Sequence, residues 1–140
     1  MTTSTSPTGY SKRPLGQKLG IKRNFRVAIL NASEEYPEQL APLPEDVVWF
    51  TALDIDLDFI QYFTDSRDEL AEQFPALKAA MHKEAMLWIS WPKQASKVPT
   101  DLNENIVREI GLANGLVDVK VAAVDHIWSG LKFVYRKRDR

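Results

Sequence analysis

The chain has 140 residues, of which 44% are apolar and 26% charged, with a net charge of −1 and no cysteine. That length and balance suit one globular domain, which buries roughly two-thirds of its unfolded surface without covalent staples. The missing cysteines exclude disulfides, a thiolate nucleophile and thiolate metal or iron–sulfur sites. No apolar run approaches the roughly 20 residues of a membrane span.

Met1 to Gly9 is rich in Thr and Ser, with no apolar run behind a basic start. It reads as a disordered leader (1–10) and not as a signal peptide, so a soluble, cytoplasmic protein with no membrane partner is expected. Lys12, Arg13, Lys18, Lys22, Arg23 and Arg26 precede the first acid, whereas Glu34 to Glu72 is heavily acidic. The basic segment is expected to lie against this acidic part. Nucleic acid is disfavoured as a partner, because no aromatic-interleaved basic stripe or recognition helix accompanies the cations.

Residues 11–20 predict a short helix, with Ser11 or Lys12 near the cap, Pro14 in the first turn and Gly20 just past the end. Phe25 to Leu30 is almost continuously apolar, the pattern of a strand covered on both faces, as in a parallel sheet. A proline-punctuated connection, with one helical turn at Glu38 to Ala41, leads to a second strand, Val47 to Leu53. A third follows at Phe59 to Thr64.

Ser66 and Glu69 form a capping-box pattern, in which each side chain would satisfy the other's backbone amide at a helix start. Leu70, Phe74, Leu77 and Met81 give that helix one apolar stripe; Pro75 should kink or split it, and His82 should sit at its end. Met86 to Trp91 is a fourth strand, ended by Pro92. Thr100 or Asp101 is expected to cap the next helix, with Leu102, Ile106 and Ile110 on its buried side and Gly115 at its end. Val117 to Val124, a turn over Asp125 to Gly130, and Leu131 to Arg136 read as a strand pair.

This alternation predicts an α/β, Rossmann-like three-layer sandwich: a mostly parallel sheet of about six strands with a final antiparallel strand. One domain is expected over 11–136, with 137–140 as a basic tail.

Lys18-Leu19-Gly20-Ile21-Lys22 before Arg26-Val27, and Met86 to Lys93 followed by a helix and a strand pair, resemble the core of S-adenosylmethionine-dependent methyltransferases. The chain also resembles a bacterial family of short Rossmann-like proteins, a domain of unknown function. The marks are Gly9-Tyr10-Ser11, Pro14-Leu15, Lys18 to Ile21, Trp88 to Lys93, Asp101-Leu102, Val117 to Val121, Asp125 and Trp128 to Lys132. Both resemblances imply a fold; only the first implies a cofactor. A cofactor pocket there needs a Gly-rich turn after the first strand, but here Leu30 to Pro37 contains no glycine. Glu34, Glu35 and Tyr36 are expected to fill the space, so no cofactor is expected.

In an open α/β sheet, ligands bind beyond the carboxyl ends of the strands. That rule collects Thr64, Ser66 and Arg67, and selects as candidate ligand-binding residues Asn31, Asp65, Ser90, Trp91, Lys93, Ser96, Asp125, His126 and Trp128. Trp91, Lys93, Ser96, Asp125, His126 and Trp128 together could make an aromatic-walled small-anion or nucleotide pocket. Structurally, Trp91-Pro92 would only end a strand, Asp125 fix a turn and His126 lie exposed.

No metal is expected. Asp54, Asp56 and Asp58 start like a calcium loop, but Phe59 stands where its glycine belongs and Asp65 where its last glutamate belongs. These aspartates suit the solvated side of a connection. The expected function is a non-catalytic ligand- or partner-binding domain. The alternatives are a divergent methyltransferase-like or nucleotide-using enzyme relying on Asp65, Lys93, Asp125 and His126, and a homo-oligomeric module pairing through Trp49, Phe50 and Tyr62.

Overall fold

The computed structural model describes residues 13–140; the expected leader and the Ser11 or Lys12 cap lie outside them. Six strands form one sheet: β1 (Arg26–Leu30), β2 (Val48–Phe50), β3 (Leu57–Phe63), β4 (Met81–Pro92), β5 (Leu116–Ala123) and β6 (Trp128–Tyr135). Their order is β2-β1-β3-β4-β6-β5. β1 pairs parallel with β2 and β3, and β3 with β4; β6 inserts antiparallel between β4 and β5. This is the Rossmann-like sheet with a reversed final strand that the hydrophobic runs predict.

Four helices cover it: α1 (Leu15–Leu19), α2 (Tyr36–Leu40), α3 (Arg67–Ala79) and α4 (Glu104–Ala113). On one face Leu70, Phe74 and Leu77 of α3 and Val107 of α4 pack against Ile60, Leu87, Leu131 and Phe133. Gly111 lets the α4 backbone rest on a ring of the sheet, since a Cβ there would stand 2.0 Å from Phe133 Cε1. On the other face the two five-residue helices contribute Leu19, Tyr36 and Leu40 against Val27, Phe59 and Trp88. Among the described residues no helix is long and apolar enough to cross a membrane.

Several boundaries differ from the sequence expectation. Pro14 is the residue before α1 and not part of its first turn, while Gly20 ends it in the left-handed region with φ 111°. The second strand keeps only three residues, and Thr51 to Asp56 return the chain past β1 to β3 without a helix. α3 runs unbroken through Pro75; the ring and Ala71, whose carbonyl loses its partner, both face water. Met81 and His82 belong to β4, because Ala80 O accepts from Leu57 N and Met81 pairs with Leu57. Sheet pairing here overrides the helical stripe.

Asn103, not Thr100 or Asp101, caps α4, its side chain accepting from Ile106 N at 2.9 Å. Asp101 instead accepts from the amide of Arg67, the first residue of α3, at 2.8 Å. Residues 137–140 fold back: Lys137–Asp139 make a 3-10 turn, and Arg140 Nε donates to Tyr135 O at 3.0 Å.

Candidate functional site

β2 and β3 flank β1 on opposite sides, so the strand order reverses there and the carboxyl ends of β1 and β3 bound the crevice where such sheets bind ligands. Asn31 is the first residue past β1, with φ 63°. Asparagine tolerates this left-handed conformation better than any residue but glycine. Its Nδ2 donates to Phe63 O at 3.2 Å and to Glu69 Oε2 at 3.4 Å. The same carboxylate oxygen accepts from Tyr62 Oη at 2.5 Å.

Half of the expected capping box explains why Glu69 is available. Ser66 Oγ accepts from Glu69 N at 3.2 Å, but the reciprocal bond is absent: Thr64 Oγ1 accepts from Ser66 N at 3.2 Å instead. The Glu69 carboxylate is thereby free to turn towards Tyr62 and Asn31. Burial pushes the Tyr62 phenol well above the usual tyrosine range, and its bond to the Glu69 carboxylate pushes the same way. Tyr62 therefore stays a neutral donor, and its hydroxyl and the Asn31 amide converge on one oxygen of the half-buried Glu69.

A second polar group lies inside the opposite face. Tyr36 Oη donates to Gln61 Oε1 at 2.6 Å, and Gln61 Nε2 donates to Ser90 Oγ at 3.1 Å, all three side chains being buried. Tyr36 meets Phe63 edge-on at 4.8 Å, and Phe63 meets Trp128 at 5.0 Å. Burial raises the Tyr36 phenol, the nearby Asp125 charge adds to this, and the bond to Gln61 opposes it.

Tyr36 therefore does not fill the crevice, as the sequence suggested. It is 2% exposed and packed under the sheet, while Glu34 and Glu35 are exposed.

The expected aromatic pocket does not form. Trp91 is buried in the core beneath α3 and α4, whereas Trp128 packs against the other core, so the sheet separates them. Asp125 Oδ1 accepts from Ile127 N at 2.8 Å and Trp128 N at 2.7 Å, fixing the turn. His126 and Asp65 are exposed on loops. Lys93 N donates to Ile127 O at 2.8 Å, and Ser96 Oγ donates to Lys93 O at 2.7 Å, so this loop is braced by its backbone. Ser90 is sealed at 0% exposure.

Asn31 is thus the one candidate that joins a polar cluster at the crevice. Its companions Tyr62 and Glu69, and the buried Tyr36 and Gln61, were missed. A signal existed for one of them: Gln61 is the sole polar residue in Phe59-Ile60-Gln61-Tyr62-Phe63.

Two of the three alternating aspartates hold Arg26 at the start of β1. Asp58 is half-buried, not solvated, and accepts from Arg26 N at 2.8 Å; Asp54 stands 3.7 Å from the Arg26 guanidinium. Among the described residues no three His, Asp or Glu side chains are grouped to hold a metal. Trp49 lies on β2 at 37% exposure, but Tyr62 is buried, so the two do not share an edge patch.

No family model and no curated protein matches the sequence. Solved structures do. A TehB-like S-adenosylmethionine-dependent methyltransferase from Corynebacterium glutamicum superposes with a TM-score of 0.59 at 9% identity, over 91% of this chain and 90% of that one. An S-adenosylmethionine-dependent methyltransferase from Aquifex aeolicus gives 0.57 at 15% identity, over 84% and 85%. The magnesium protoporphyrin IX methyltransferase of Synechocystis, with S-adenosylmethionine bound, gives 0.58 at 11% identity, over 87% and 74%.

These similarities overturn the expectation of a non-catalytic, cofactor-free domain: the folds it matches belong to cofactor-using enzymes. The turn after β1 takes the left-handed conformation at Asn31 without a glycine. The chain has the Rossmann-like α/β fold of S-adenosylmethionine-dependent methyltransferases.

Proposed function

We propose that the chain is a divergent S-adenosylmethionine-dependent methyltransferase whose cofactor lies over the carboxyl ends of β1 and β3. The carrying observation is the turn after β1. Asn31 is left-handed, Ala32 and Ser33 after it are small, and the bulky Tyr36 is withdrawn into the core. A ligand can therefore approach this backbone closely, which is the role of glycines in other phosphate- and nucleoside-binding turns. Asn31 and Glu69 would hold the cofactor, with Tyr62 keeping the Glu69 carboxylate in position. When bound, the group supplies an electrophilic methyl on a sulfonium; a carboxylate beside a cation is favourable in a partly desolvated crevice.

Isothermal titration with S-adenosylmethionine and its demethylated product tests this. Both should bind the wild type, and thermal stability should rise by about 2.7 kcal/mol at a hundred times the dissociation constant. Asn31→Val, which places a β-branched residue in the left-handed region, and Glu69→Gln should each weaken binding about tenfold or more, equivalent to ~1.4 kcal/mol. A folded wild type that takes up neither compound overturns the proposal.

A further inference from the structure

We propose that a basic cleft at the end of the sheet opposite the Asn31–Glu69 crevice, between β4 and β6, is a phosphate-binding site that includes Lys132. A cavity of about 160 Å³ opens between the start of β4 and the end of β6, lined by Lys83, Glu84, Lys132 and Arg140 over a floor that includes Met86 and Val134. Lys132 is directly opposite Lys120 in the antiparallel β5–β6 register. Like charges facing each other across such a pair destabilise a sheet.

Lys22, just after α1, adds a third cation near Lys132. Burial, Lys120 and Lys22 together hold the Lys132 amine below the usual lysine range. Among the described residues, no carboxylate stands within ion-pair distance of Lys22, Lys83, Lys120, Lys132 or Arg140. Lys83 rests over the Tyr135 ring at 4.6 Å, and Arg140 is tethered to Tyr135 O by its Nε.

Lys132 is half-buried, directly opposite Lys120 and close enough to Lys22 to feel its charge, an arrangement that an anion entering the cleft relieves. The size of the cleft selects which anion. It is well below the roughly 300–1,000 Å³ of a pocket that encloses a whole small molecule. It suits one tetrahedral group, to which lysine ammoniums offer point charges and arginine a planar fork. That group is inorganic phosphate, a phosphomonoester, or one backbone phosphate of a nucleic acid reaching in from outside.

Titration at constant ionic strength with inorganic phosphate, and separately with a fluorescent single-stranded oligonucleotide, tests the site on wild type, Lys132→Gln and the distant control Lys97→Gln. Phosphate should bind wild type and Lys97→Gln alike and bind Lys132→Gln at least tenfold more weakly. Without phosphate, Lys132→Gln should melt no lower than wild type, because the repulsion with Lys120 is gone; its lost binding is then not lost folding. Oligonucleotide binding that weakens in Lys132→Gln in parallel assigns the phosphate to a nucleic-acid backbone. Phosphate binding alone assigns it to a small ligand. Phosphate that fails to bind wild type, or binds Lys132→Gln equally, overturns the proposal.

Discussion

The two faces of the sheet are held by different means. Under α3 and α4 the core is apolar and held by close packing, with Phe74 meeting Phe133 edge-on at 5.6 Å and Gly111 admitting the ring of Phe133. Under α1 and α2 there are only two five-residue helices, too short to bring a long apolar stripe. There the structure relies on placed hydrogen bonds: Trp88 Nε1 to Leu19 O at 2.8 Å, and the Tyr36–Gln61–Ser90 relay. Apolar area stabilises in proportion to what it buries, whereas a buried polar group stabilises only while each partner is present. The first face should lose stability in proportion to the apolar volume removed, and the second should tolerate only coordinated change.

The largest effect should come from Phe74→Ala, which removes a fully buried ring from the first face and should cost about 3–5 kcal/mol in urea unfolding. A loss below ~1 kcal/mol would mean that α3 collapses into the space and that packing there is not specific. Gln61→Leu comes next. It strands the Tyr36 and Ser90 hydroxyls and should cost about 1–3 kcal/mol, while Tyr36→Phe/Gln61→Leu/Ser90→Ala should regain most of the loss. A triple variant as unstable as the single one would show that Gln61 acts by shape and would erase the contrast between the faces.

The smallest effect at neutral pH belongs to Tyr62→Phe, about 0.5–1.5 kcal/mol for one hydrogen bond. Its signature lies at alkaline pH. The phenol of Tyr62 is raised in the folded state, so its contribution is fully present below the unfolded value near pH 10 and is lost as pH rises towards the folded one. Melting curves from neutral to strongly alkaline pH should fall less steeply for Tyr62→Phe than for wild type; equal slopes would disprove a perturbed Tyr62.

Legibility followed the range of the interactions. The apolar runs of β1, β3 and β4, the Ser66 start of α3 and the final strand pair are local patterns, and these were read correctly. The errors came where a distant residue decided. Met81 fits a helical stripe until Leu57 draws it into the sheet. Asp101 looks like a cap for the helix after it, yet it caps the helix before it, which its own loop crosses. Glu69 completes a capping box in sequence, but Thr64 takes over the amide and releases the carboxylate.

The same division governs the site. The strand-end rule found Asn31, because a residue that follows a strand is marked by the chain itself. It could not separate Trp91 from Trp128, because the face each ring enters depends on the pleat at its own position in the sheet. The sequence by itself determined the order of strands and helices and hence the class of fold, since periodicity and capping act within a few residues. Only the tertiary structure decided that Glu69 and Tyr62 meet Asn31, that Tyr36 turns inward to Gln61, and that Lys132 faces Lys120. Each of these pairings joins separate elements, and sequence spacing carries no record of the register that brings them together.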